Sequence, residues 1–449
     1  MTAPDVVIVG GGFVGMAAAA ALAPVCRRVV VLEARAGKDP RFRGELIHPH
    51  GAAVLAELGL ALPLAREGSA PVEGFAVVPG EGHPDVLLPY DEIEDMKPPA
   101  RGLSMDHHAM VACLRAEVSS RSGVELYRGE RVTGLVREGD RIVGVETASG
   151  ERICAELTLV AEGRHSKLRG LLGIQEETRL LSFTVALLLE DVELPHPNYG
   201  HVFLGALGPV LAYGIGQGRA RMCVDLPTSV EKGQAAMAKL LREAYAPFVP
   251  EPLRSAMLRA ASAPAIEVCA NHAIQTRRCA LPGVALVGDS GGCCHPLTAT
   301  GLTTGLNDVR VLAGELARAF TVDAALHRYQ KRRYRFVRAR EILADALYDG
   351  FRGAEGGTRT IRSGVIRYWE RSARARAASM ALLSGQESSL GVFIGEYVRV
   401  VGQSAYDVLA GEAREPSWSG RAASLSGLLR TSYDRIERSV VTVYEDAIG

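Results

Sequence analysis

Asp5-Val6-Val7-Ile8-Val9-Gly10-Gly11-Gly12-Phe13-Val14-Gly15 is the stretch on which the fold turns. Its continuous β-branched run is what a strand buried on both faces requires. The glycines at 10, 12 and 15 then open into an Ala-rich segment that runs through Ala23 with helical character. Each glycine has a mechanical role. Gly10 makes a tight turn, Gly12 lets the backbone approach a pyrophosphate, and Gly15 lets the helix pack on the strand. A second strand, Arg28 to Leu32, ends at Glu33. There a carboxylate is placed to accept hydrogen bonds from ribose hydroxyls. This β-α-β unit with an acidic tip predicts a dinucleotide site in a doubly wound, Rossmann-like α/β domain. The plain alternative is a tight turn that binds nothing.

Two later segments specify the dinucleotide. In Leu157 to Arg169 a strand ends in Glu162-Gly163-x-x-Ser166-x-x-Arg169, and in Val284 to Asp308 another ends in Gly288-Asp289, followed by His295-Pro296-Leu297-Thr298 and a helix starting near Thr300. A plain nicotinamide dehydrogenase needs neither. An Asp at a strand end can hold a ribitol hydroxyl, and a helix beginning beyond Gly301 aims its positive end at a flavin pyrimidine. The three segments in this order point to FAD, with Arg41 counted among the cofactor-binding residues.

The bulk properties narrow the partner. A chain of 449 residues exceeds what one core supports, so two or three units are expected. Lys plus Arg and Asp plus Glu both number 51, and this balance gives no reason to expect nucleic acid. The eight cysteines form no CxxC pair, which argues against a disulfide framework or a zinc site and for a cytoplasmic protein. Asp106-His107-His108 reads as the start of a helix rather than a metal site, and vicinal Cys293-Cys294 as compact packing. No apolar run reaches the length of a membrane span.

Four regions are expected. Residues 1–170 form the first part of the FAD domain, with a substrate-wall insertion near 70–100. Residues 171–270 carry a substrate-binding sheet, 271–350 complete the FAD domain, and 351–449 are helical. Alternating segments Val132–Val136, Ile142–Thr147 and Ile153–Val160 predict a small antiparallel sheet feeding a core strand. Phe183–Leu189, His201–Leu204 and Val210–Ile215 predict the second sheet. The basic run Lys331 to Arg340 reads as a solvated helix face.

These residues resemble the class A flavoprotein monooxygenases, and within them the squalene epoxidase branch. The resemblance runs to about Gly350. Gly44-Glu45-Leu46-Ile47-His48-Pro49, the segment Leu194 to His201, and Gly288-Asp289 through Thr298 carry it most specifically. It implies Glu33 as the ribose ligand and Asp289 as the ribitol ligand. The chain departs from the pattern in four places. Glu162-Gly163 stands for Asp-Gly, Ala109 for an FAD-contacting Arg, His48 for a Gln, and Phe75 for a Tyr that pairs with that Gln beside the flavin.

The resemblance implies a monooxygenase that uses NAD(P)H and dioxygen, through a flavin hydroperoxide, to epoxidise or hydroxylate a large apolar isoprenoid or prenylated aromatic. Electrons arrive directly or through a reductase partner. His48, Phe75 and Pro296 are the candidate catalytic residues: His48 either orients substrate or flavin and relays a proton, since imidazole titrates near neutrality, or is a structural histidine in a tight Pro-rich turn. A flavin reductase of prenyl double bonds, of the geranylgeranyl reductase kind, stays open as the alternative. The stretch Met380 to Val401 partly echoes a membrane-anchoring region. Gln386, Glu387, Glu396 and Arg399 interrupt it, which leaves at most surface association.

Overall fold

The computed structural model describes residues 5–37, 42–80, 83–93, 101–231, 233–262, 266–353, 356–410 and 420–433. Val6–Val9 is buried throughout and lies between two parallel neighbours, Val29–Glu33 on one side and Leu157–Val160 on the other. This is the placement that a β-branched run without polar alternation demands. The full sheet of six strands runs Ala280–Leu281, Val284–Leu286, Leu157–Val160, Val6–Val9, Val29–Glu33, Val124–Arg128. Helix Phe13–Leu22 packs on it so closely that a Cβ on Gly15 would lie 1.8 Å from the Gly10 carbonyl oxygen. No side chain fits there.

Val132–Glu138, Arg141–Thr147 and Arg152–Cys154 form a small antiparallel sheet. The expected single run Ile153–Val160 divides at Ala155-Glu156. Arg152–Cys154 stays partly exposed at the edge of the small sheet, whereas Leu157–Val160 is buried on both faces and enters the parallel sheet.

The second sheet has seven strands, ordered Glu267–Thr276, Glu176–Glu190, Arg219–Leu226, Val210–Gly216, Tyr199–Phe203, Gly74–Val78, Val86–Pro89. Alternation gives it two faces. Val185, Leu187, Met222 and Val224 pack on Leu241, Tyr245 and Met257. From the other face Phe75, Val77, Val202 and Tyr213 pack toward Phe351, Ile366, Trp369 and Met380 of the C-terminal helices.

Those helices are Val322–Arg352, Gly356–Arg371, Ala373–Ser384, Leu390–Ala410 and a further one over 420–433. Among the described residues no helix is long and apolar enough to cross a membrane. The basic run forms a solvated face only in part: Lys331, Arg332 and Arg335 are exposed as expected, but two of its arginines turn inward. Arg333 and Arg340 are only 3% and 5% exposed, and Arg333 is drawn inward by the buried carboxylate of Asp308, 3.0 Å from its Nε.

Candidate active site

A cavity of about 900 Å³ opens where the strand ends of the parallel sheet face the second sheet. Gly10, Gly12, Glu33, Glu162, Gly163, Asp289, Pro296 and Gly301 all line it. Gly15 and Gly288 do not line it, but both shape the backbone behind it. Gly288 adopts φ +60°, the left-handed region that glycine accepts without strain. Arg41 lies outside the described residues. Nothing lies within 4 Å of a Cβ built on Gly12, so the loop presents open backbone to the cleft. Asp289 has no side-chain hydrogen bond to another described residue, which leaves its carboxylate free for a ligand hydroxyl. An open glycine loop at one end and an orphan carboxylate at the other suit a long, phosphate-bridged, polyhydroxylated cofactor such as FAD.

The acids around this cleft are held by specific donors. Glu33 accepts from the Gly11 and Arg35 amides at 3.0 and 2.9 Å and from Arg115 Nη2 at 3.1 Å. Arg115 also donates from Nε to the Gly11 carbonyl at 2.8 Å, clamping the loop to the acid. Sequence reading missed it, because it stands in mid-helix six positions beyond Ala109 without a motif around it. Glu162 folds back on its own chain, where Oε2 accepts from Ser166 Oγ at 2.7 Å and the Leu168 amide at 3.1 Å. The longer carboxylate thus serves partly as a cap for helix Lys167–Leu171. Gly288 is gripped from behind: its amide donates to Asp308 Oδ2 at 2.9 Å and its carbonyl accepts from Arg333 Nη2 at 3.3 Å.

The turn at Pro296–Thr298 faces both sheets. His295 Nδ1 accepts from the Leu297 amide at 3.1 Å, so its other nitrogen carries the proton, 3.2 Å from Asp225 Oδ1 and 2.9 Å from Ser182 Oγ. Ser182 donates to the same Asp225 oxygen, and Asn271 donates to Ser182 and Thr184 at 2.8 and 2.7 Å. This buried network ties the turn to three strands of the second sheet. Beyond the turn, Ala299 sits at φ +51°, a left-handed conformation that its Cβ disfavours. Helix Gly301–Leu316 then starts with Gly301 and Leu302 at the cavity wall, which places its positive end there.

His48 is fully buried and lies outside this cavity. Its Nε2 is 2.9 Å from the Thr298 carbonyl, which can only accept, so Nε2 bears the proton and Nδ1 accepts from the Tyr90 hydroxyl at 2.7 Å. Burial pushes its pKa down to about 3, with Arg340 adding to the effect. The imidazole is therefore neutral throughout the physiological range, which favours the structural histidine over a proton relay titrating near pH 7. Phe75 packs beside it at 5.8 Å between ring centroids. Tyr90, from a different strand end, supplies the hydroxyl that Phe75 lacks. The sequence offered no signal for this, because the two positions meet only when the second sheet is assembled.

A second, nearly wholly apolar chamber of about 110 Å³ lies behind the turn. Phe75, Leu88 and Val202 of the sheet face Leu347, Trp369 and Met380 of the helices across it. Leu297 lines both cavities. Asp106 accepts from the amides of His108 and Ala109, as a helix cap does. Burial raises the pKa of the Cys293 and Cys294 thiols, which keeps them protonated. Among the described residues no cluster suited to a metal ion is present.

The family described as squalene epoxidase matches residues 154–414. Over 396 residues the chain is 33% identical to squalene epoxidase 2, mitochondrial, of Arabidopsis thaliana, covering 85% of this chain and 66% of that protein. It is 31% identical over 388 residues to squalene epoxidase erg1 of Aspergillus fumigatus, covering 82% and 79%. Among solved structures, p-nitrophenol 4-monooxygenase PnpA of Pseudomonas putida superposes with a TM-score of 0.73 at 19% identity, over 85% of this chain and 98% of that one. Klebsiella pneumoniae HpxO, complexed with FAD and uric acid, superposes with a TM-score of 0.70 at 21% identity, over 85% and 96%. At such identities the likeness concerns the fold.

Proposed function

Because the chain belongs to the squalene epoxidase family of FAD-dependent monooxygenases, we propose that it transfers one oxygen atom from dioxygen to a double bond or electron-rich ring of an isoprenoid or prenylated aromatic. The observation that carries this reading is Leu297. It forms a wall shared by the cofactor cleft and the apolar chamber, so a tail in the chamber brings its neighbouring carbons to the flavin side of the turn. FAD, reduced by NAD(P)H directly or through a reductase, supplies the oxygen-activating chemistry when bound.

The protein itself contributes binding, orientation and exclusion of water. Glu33 receives ribose hydroxyls, Asp289 the ribitol, and the N-terminus of helix Gly301–Leu316 supports negative charge on the pyrimidine side. His48 acts as a neutral brace that holds the Thr298 carbonyl, and hence the turn, against Tyr90. At about 110 Å³ the chamber is smaller than the roughly 150 Å³ cavity that admits benzene, so a longer tail needs it to widen. Such substrates dissolve in membranes. Exposed Tyr406, Leu409, Leu429 and Tyr433 on those helices offer a surface for weak peripheral contact with a bilayer.

The test supplies the FAD-loaded protein with NADH or NADPH, with and without a flavin reductase, and a trisubstituted prenyl alkene under isotopically labelled dioxygen. One labelled oxygen atom in the product is the expected result. A product that gains two hydrogens and no label would establish the reductase activity in its place.

A further inference from the structure

Among the described residues lining the apolar chamber, Glu396 is the single charged one. It is 7% exposed. A carboxylate at such a place is costly unless partnered, and its partners lie on the helices around it. Oε2 accepts from the Tyr368 hydroxyl at 2.6 Å, Oε1 from Arg399, and Arg374 stands 3.9 Å from Oε1. Tyr368 lies on helix Gly356–Arg371 and Arg399 one turn along Glu396's own helix. A carboxylate offers about four lone-pair directions, so these contacts stabilise its charge without exhausting its capacity to accept.

The hydroxyls of Ser379 and Thr298 on the chamber wall are already used. Ser379 Oγ accepts from Trp369 Nε1 at 2.9 Å, and Thr298 Oγ1 donates to the His295 carbonyl at 3.2 Å and lies 3.0 Å from Thr300 Oγ1. Phe75, Leu297 and Thr298 form the wall nearest the flavin turn. Glu396, Phe393 and Val400 belong to helix Leu390–Ala410, on the C-terminal side of the chamber. Glu396 forms part of the wall, and a pure hydrocarbon in this chamber would gain nothing from its carboxylate. A chain ending in a hydroxyl would place its O–H donor on that carboxylate while its double bonds reach back toward the turn.

We propose that the chamber selects isoprenoids carrying a terminal hydroxyl, with Glu396 as the acceptor and Tyr368 and Arg399 holding it in place. This rests on the reading of the chamber as the substrate-tail site. A hydrogen bond to a charged acceptor, absent for the hydrocarbon, corresponds to a preference of about tenfold or more.

The experiment uses the full chain loaded with oxidised FAD, without reductant, titrated with farnesol and separately with its deoxygenated hydrocarbon while the flavin absorbance is followed. Farnesol is expected to bind at least about tenfold more tightly. In Glu396→Gln the preference shrinks, and in Glu396→Leu the two ligands bind alike, with hydrocarbon affinity retained or improved. Equal binding of both ligands by the unmodified protein overturns the proposal, as does a preference that survives in Glu396→Leu. Should Glu396→Leu fail to retain FAD, an undiminished preference in Glu396→Gln overturns it. If neither ligand perturbs the flavin of the unmodified protein, the chamber is not the tail site and the proposal falls with that reading. Oxygen transfer at the flavin is measured separately by label incorporation.

Discussion

Replacing His48 by Gln separates a brace from a proton carrier. In the folded protein the imidazole has a pKa of about 3 because it is fully buried, and in the unfolded chain it returns to about 6.5. The folded state thus binds fewer protons than the unfolded state between these values. Stability from this residue is fully present above about pH 6.5 and is lost as pH falls toward 3. At pH 5 the loss is about 2 kcal/mol, the free energy of protonating an unfolded imidazole about 1.5 pH units below its pKa. His107, His50 and His201, each lowered to about 4 by burial, act in the same direction, so the comparison must be made between variant and parent. A Gln amide can donate to the Thr298 carbonyl and accept from Tyr90, yet it does not titrate. His48→Gln should therefore be somewhat less stable at pH 8 and recover by about 2 kcal/mol relative to the parent at pH 5. By entropy scaling for a chain of this length, that is a shift of about 2 °C in the difference of melting temperatures. Turnover by His48→Gln should keep the pH profile of the parent. Parallel stability curves, or the loss of a kinetic ionisation near pH 6.5 in the variant, would refute the neutral brace.

Four further outcomes follow from the same geometry. Arg333→Met leaves Asp308 charged and buried with only the Gly288 amide, so stability should fall by about 3–5 kcal/mol and FAD dissociate more readily. Adding Asp308→Leu should restore much of the stability, and a thermal-denaturation double-mutant cycle reads the coupling. Ala299→Gly should raise stability by about 0.5–1 kcal/mol by removing a left-handed alanine, checked by the same melts. Asp289→Ala should weaken FAD binding, followed by flavin fluorescence, with little effect on the melting of the apoprotein. Leu297→Ala should alter the ratio of kcat/KM values between short and long prenyl substrates, read at saturating FAD.

Legibility in the sequence followed the range of the interactions. The glycine loop declares itself locally. A turn between a doubly buried strand and a helix needs Gly10 and Gly15 within a few residues, and the backbone closes to 1.8 Å at that point. The doubly wound fold, the second sheet and the C-terminal helices were readable for the same reason, since periodicity is a property of short windows. Arg115 was not readable, because its value lies in reaching Gly11 and Glu33, 104 and 82 residues away. The basic run misled in part, for a related reason: Lys331, Arg332 and Arg335 are exposed, but Arg333 and Arg340 are not. Composition says that six cations on a helix seek water, whereas Arg333 is held inside by an aspartate 25 positions earlier.

His48, Tyr90 and Phe75 show why a reading one position at a time can miss a partner supplied from elsewhere in the fold. Reading Phe75 alone, a hydroxyl is missing beside the flavin turn. In three dimensions Tyr90 delivers one to His48 from another element, and the imidazole passes the constraint to the Thr298 carbonyl. His48 thus has a hydroxyl partner although residue 75 is a phenylalanine. Phe75 serves as apolar wall for the chamber. Polar function near the turn is thus confined to groups already satisfied by one another, and the charged acceptor at the chamber wall, Glu396, stands on a separate helix. A pocket arranged in this way can distinguish the two ends of a long substrate, which a uniformly apolar one cannot do.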